Sequence, residues 1–72
     1  MKKLTGSIAF RDLESGVWVL EGDDGHTYEL AGGDRGIKKN GRRVEIEGQV
    51  DRNAVSISMV GPILRVARYR FL

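Results

Sequence analysis

Apolar and polar residues alternate along most of this chain, with the two-residue period of extended strands. Leu4, Gly6, Ile8 and Phe10 share one parity, so residues 4–10 predict a first strand. The glycine at position 6 predicts a bend or bulge, which lets one strand serve both sides of a small sheet. A polar connection follows over residues 11–16. The clearest signal comes next, at residues 17–30, where two β-prone runs flank Gly22-Asp23-Asp24-Gly25. A three-residue loop, Asp23-Asp24-Gly25 with Gly25 at positive φ, pairs Gly22 with His26. It gathers Trp18, Leu20, Tyr28 and Leu30 on one face and leaves Val17, Val19, Glu21, Thr27 and Glu29 on the other. A two-residue loop would set Trp18 opposite Glu29. Because a slip of one residue flips every side chain, the hydrophobic pattern selects the first register.

Residues 31–43 break the alternation. Gly32, Gly33, Gly36 and Gly41 exclude a long helix but allow one turn, with Asp34 as N-cap, Lys38 and Lys39 at the C-terminal end and Gly41 as a left-handed stop. Ile37 is the large apolar residue of that segment and is expected to plug one end of the sheet. Residues 43–50 predict a fourth strand, with Val44, Ile46, Gly48 and Val50 on one parity and Glu45, Glu47 and Gln49 on the other. Residues 54–60 predict a fifth, with Val55, Ile57 and Met59 inward, ended by Gly61-Pro62. The tail over 63–72 is again extended in character, with Ala67, Tyr69 and Phe71 alternating against Arg68 and Arg70. The expected core is Leu4, Ile8, Phe10, Trp18, Leu20, Tyr28, Leu30, Ile37, Val44, Ile46, Val55, Ile57 and Met59.

Three strands, a short plug and two more strands form the order of an OB-fold, a five-stranded Greek-key barrel. The expected fold is therefore all-β: one small OB-like barrel over residues 1–72, with a helical or irregular plug between strands 3 and 4 and an extended C-terminal strand. An SH3-like barrel is the alternative. It would want a longer arm between its early strands and a one-turn helix just before its last strand. Three stretches, residues 16–25 with Tyr28, residues 41–50 and residues 56–61, resemble a group of small bacterial OB-like proteins of unknown function. The resemblance covers most of residues 4–63 and leaves out the tail from Arg65 to Leu72. It implies a fold and no activity.

Length and composition narrow the picture further. Seventy-two residues make one domain, whose core rarely supplies more than ~3–5 kcal/mol of net stability. There is no cysteine, so no disulfide and no thiolate metal site. No apolar run follows the basic start as a signal peptide requires, and none is long enough to cross a bilayer. A cytoplasmic protein without membrane contact is expected. The net charge of +2 is unevenly spread. Residues 1–34 carry three basic and seven acidic groups, a net −4; residues 35–72 carry nine basic and three acidic groups, a net +6. Such a division points either to an anionic partner or to halves that neutralise each other across the fold, and interleaved strands favour the second.

The candidate chemistry is sparse. His26 is the sole histidine, and its neighbours Asp23 and Asp24 lie in the turn itself. No serine sits in a nucleophile-elbow setting, and the Gly32-Gly33-Asp34-Arg35-Gly36 run lacks the lysine and the long helix of a phosphate loop. No enzyme, cofactor or metal site is expected. A binding module remains, most simply one for protein interaction or structure, whose C-terminal strand with Val66, Tyr69 and Phe71 either covers an edge of its own sheet or self-associates with a neighbour's. The alternative is weak, non-specific binding of single-stranded nucleic acid through Lys38, Lys39, Arg42 and Arg43 by the plug and Arg65, Arg68 and Arg70 in the tail. Against it, Trp18 and Tyr28 are expected to point into the core, and Glu21, Glu29, Glu45 and Glu47 to form an acidic outer face.

Overall fold

The structure, a computed structural model, describes residues 1–13, 16–52 and 60–72. The chain runs β1 (Lys2–Arg11), β2 (Val17–Gly22), β3 (Thr27–Gly32), a single 3-10 turn (Arg35–Ile37), β4 (Arg43–Asp51) and β5 (Ile63–Phe71). The sheet closes on itself in the order β1-β2-β3-β5-β4, and among the described residues β3–β5 is its one parallel pair. Among the described residues no helix is long and apolar enough to cross a membrane.

Closure depends on β1 having two partners. Its C-terminal half pairs with β2, from Gly6↔Gly22 to Arg11↔Val17, and its N-terminal half with β4, from Lys2↔Gly48 to Ser7↔Arg43. Gly6 belongs to both ladders, as its lack of a side chain suggested. The hairpin takes the three-residue register: the Gly22 N–H donates to the His26 carbonyl at 2.8 Å, the Gly25 N–H to Gly22 at 3.1 Å, and Gly25 has φ 87°. The plug forms with the expected cap, but it is shorter than expected, ending at Ile37 with Lys38 as its C-cap, so Gly41 is not its stop. The Asp34 side chain accepts from the Gly36 N–H at 2.9 Å, and Ile37 is buried beneath the turn.

The C-terminal segment differs from expectation. Among the described residues the tail is the fifth strand, bonded to β3 on one side and β4 on the other. The strand expected over 54–60 falls almost wholly on residues 53–59, outside the described residues, and so do Val55, Ile57 and Met59. Two-residue alternation also fails within β5, for a visible reason. The register slips between Glu47↔Arg68 and Gly48↔Val66, leaving Ala67 as an extra, bulged residue. Leu64 and Val66 therefore face inward before the bulge, and Tyr69 and Phe71 after it. Ala67, expected on the inward parity, is exposed.

The core is Ile8, Leu20, Tyr28, Ile37, Val44, Ile46 and Leu64, with Leu4, Trp18, Leu30, Val50, Val66, Tyr69 and Phe71 packed half-buried around it. Phe10 was expected inside and is 45 % exposed. It pairs with Trp18 in one of the last rows of the β1–β2 ladder, ring centroids 5.2 Å apart, and that row lies at the mouth of the ring. Val19, expected outward, is buried, as is Ile63; the two flank Glu29 in one cross-strand row on the outer face.

Leu20 makes no contact with solvent and sits in the middle of the closed sheet. Leu20→Ala should cost about 2–5 kcal/mol through lost burial and a residual cavity. Urea denaturation followed by circular dichroism should show a chain at the edge of folding; an unchanged midpoint would contradict the central placement of Leu20.

Candidate functional site

The basic groups singled out in the sequence do not converge. On the outer face of β4 and β5, strand pairing sets Glu45 opposite Arg70 and Glu47 opposite Arg68. The side chains meet as ion pairs, Arg70 Nε–Glu45 Oε1 at 3.1 Å and Arg68 Nε–Glu47 Oε1 at 2.8 Å, and Arg65 binds Asp51 at 3.1 Å. Arg43 makes a two-pronged contact with Asp23, at 2.8 and 2.6 Å. Arg42 lays its guanidinium over the Phe71 ring, 4.5 Å from the centroid. Of the seven expected anion-binding residues, Lys38 and Lys39 alone are exposed with neither an ion pair nor an aromatic partner among the described residues. The expected acidic face is neutralised as well, since Glu21 pairs with Arg11 at 2.6 Å. Among the described residues the ion pairs run mostly within each half of the chain, and Arg43–Asp23 joins the two.

Of the two placements open to the C-terminal strand, Val66, Tyr69 and Phe71 take the one on their own core. The Tyr69 and Phe71 rings meet edge to face at 5.6 Å, and the Tyr69 hydroxyl donates to Asp34 at the start of the plug. That bond raises the Tyr69 pKa and, with the Gly36 N–H, lowers that of Asp34. These side chains tie β5 to the plug and are not a free edge.

One end of the ring does gather unused groups. The β2–β3 ladder is paired from Glu21↔Thr27 to Val19↔Glu29 and no further, although β2 begins at Val17 and β3 runs on to Gly32. There the strands part, because β3 turns to pair with β5 over residues 29–32. The gap is a cleft of about 240 Å³ lined by Trp18, Leu30, Ile37 and Lys38, together with Gly16, Val17, Glu29 and Gly32. Phe10 stands beside Trp18. Leu13, 43 % exposed, lies in the adjoining β1–β2 connection.

Residues 12–68 match the model of a protein family of unknown function, DUF5818. The chain belongs to this family. No curated protein and no solved structure matches it. The DUF5818 match carries no activity, fold name or source, so it does not extend to the OB-like bacterial group. It does reach Arg68, into the tail that the resemblance left out, and it includes every residue lining the cleft.

Parity reasoning missed this end of the DUF5818 chain because it assigned Phe10 and Trp18 to the core by alternation alone. A usable signal was present: Phe10 and Trp18 bracket a polar, glycine-bearing connection, which places both at a strand terminus. Gly16 in that connection lies so close to the Phe10 ring that a Cβ there would collide with it.

Asp23 supplies a pH test of the Arg43 link. The Arg43 guanidinium, helped by the Thr5 hydroxyl at 2.9 Å, lowers its pKa from 3.8 to about 2. A folded-state pKa below the unfolded value stabilises above the unfolded value and is lost as pH falls through the folded one. Melting temperatures should therefore drop between about pH 4 and 2, and Asp23→Asn should flatten that part of the acid limb. An identical limb in the variant would show that the pair contributes nothing.

Proposed function

We propose that this chain is a non-catalytic OB-like module that binds a protein partner at the plug end of its ring. The OB-like reading is supported by the strand order, by the parallel β3–β5 pair and by the plug between β3 and β4. The single observation that carries the binding reading is the exposure of Phe10 against half-buried Trp18, with exposed Leu13 in the adjoining connection and Lys38 on the cleft, neither Lys38 nor Lys39 having an ion pair among the described residues. Clustered exposed apolar groups rimmed by polar ones mark interaction surfaces. A cysteine-free chain suits the reducing cytoplasm, where we place it. His26 supports a non-catalytic reading: it is exposed at the hairpin turn, its ring meets the edge of Tyr28, 6.4 Å away, and its neighbour Asp24 is taken up by the turn itself, accepting from the His26 N–H and the Tyr28 hydroxyl.

A photo-crosslinking residue at position 13 tests the assignment in the source cell. It should form a discrete protein adduct, while the same residue at position 68, in the ion-paired face, should not. Adducts at both positions, or at neither, would refute the plug end as the docking surface.

Lys38 and Lys39 favour a second reading, weak binding of single-stranded nucleic acid at the same end. Retention on immobilised oligothymidylate would then be steep in salt, because phosphate neutralisation releases counterions. Lys38→Glu with Lys39→Glu should abolish it, whereas Arg68→Gln with Arg70→Gln should leave it nearly unchanged, their charge being already matched by Glu47 and Glu45. Equal loss in both double variants would return the tail arginines to the site.

A further inference from the structure

We propose that the open seam between β2 and β3 receives an extended acidic segment of a protein, with one large apolar side chain seated in the cleft and its carboxylates on Lys38 and Lys39. The proposal rests on the protein-binding reading and gives it a ligand chemistry.

The backbone argues for an extended occupant. The Asp23 N–H donates to Thr5 of β1 and the Gly22 N–H to His26, so along β2 odd-numbered residues face β1 and even-numbered residues face β3. The Glu29 N–H donates to Pro62, so odd-numbered residues of β3 face β5 and even-numbered ones face β2. The amide groups of Trp18, Leu30 and Gly32 therefore turn into the seam, at and beyond the point where the ladder stops at Val19↔Glu29. Strand edges of this kind are templates for added chain.

The side chains define the rest. At about 240 Å³ the cleft is smaller than the ~300–1,000 Å³ of a small-molecule pocket, so it suits one anchoring side chain of a longer ligand. Trp18, Leu30 and Ile37 supply the apolar part of a lining that is polar and apolar in about equal measure, and Lys38 supplies a cation. Lys39 is exposed beside it. Glu29, also on the lining, has an interaction of its own, and Lys38 with Lys39 outnumbers it in charge at this end. Charge complementarity thus selects acidic residues next to the anchor.

A displayed library of random peptides, selected on the full chain, provides the probe. Enriched peptides should carry a large apolar residue flanked by Asp or Glu. Their synthetic forms should shift the emission of Trp18, the sole tryptophan. Lys38→Glu with Lys39→Glu should weaken them roughly tenfold or more, and Arg68→Gln with Arg70→Gln should not. N-methylation of the peptide backbone should weaken binding roughly tenfold at alternate positions and little between them, since alternate amides pair with the edge. Peptides that bind without moving Trp18 emission, and equally to the lysine variant, would overturn the seam while leaving the protein-binding reading in place. No enrichment overturns the proposal, and if oligothymidylate then shifts Trp18 emission, the protein-binding reading falls with it.

Discussion

Everything in this small fold follows from the bend of β1 through Gly6. That residue is paired on one side with Gly22 and on the other with Val44, and its α-carbon lies against the Glu21 carbonyl. A Cβ there would collide with the backbone of β2, so β1 would have to give up one neighbour. With one neighbour lost the sheet opens, and Ile8 on the β2 side no longer shares a core with Ile46 on the β4 side. The opposite wall repeats the device in another form. Gly48 lies against the Arg65 carbonyl where Ala67 bulges, and this second close approach lets β5 reach both β3 and β4. A core this small tolerates neither close approach being spoiled.

Strand register also decides where charge is available. Glu45 and Glu47 project from one face of β4, and the pairing with β5 puts Arg70 and Arg68 opposite them. Each such exposed pair contributes little to stability, about 0–1 kcal/mol. Its larger effect is subtractive: arginines that look like an anion site in the sequence are matched before any ligand arrives. Surplus positive charge beside an aromatic group is left near the plug, where Lys38 and Lys39 follow a turn too short to offer them a partner.

Much of the fold was legible because its signals are local. The Gly22–His26 register and the Asp34 cap each depend on residues within a few positions, and both form as the alternation and turn chemistry indicated. The unread parts are those that depend on distant partners. The bulge at Ala67 exists only because β5 meets β4 and β3 together, so alternation placed Ala67 inward and left Leu64 out of the core. Phe10 and Trp18 follow the core parity, but parity carries no information about whether a row is central or at the mouth of the ring. The candidate site was half-read for the same reason: its lysines are visible as charge, and its aromatic side is visible only once the ends of the strands are known.

The cleft and the closure of the sheet have one cause. Joining β3 to β5 in parallel requires β3 to diverge from β2 after Val19↔Glu29, because the amides of Glu29 and Ala31 must align with β5 while those of Leu30 and Gly32 lose their hairpin partners. The 3-10 turn then closes the ring from within, and Ile37 forms the floor of the opening rather than filling it. Full hairpin pairing would remove the cleft but would pull β3 from β5, against the packing of Leu30 and Leu64, which are neighbours across that pair. Burial of Leu64, at about 1.5–3 kcal/mol for a fully buried leucine, is of the same order as the two or three amide pairs given up at about 0.5–1.5 kcal/mol each, and the balance is tipped because those amides are partly satisfied by water at an open seam. The opening is therefore a consequence of how this chain closes its core, and a ligand that supplies the missing pairing gains affinity without disturbing that closure.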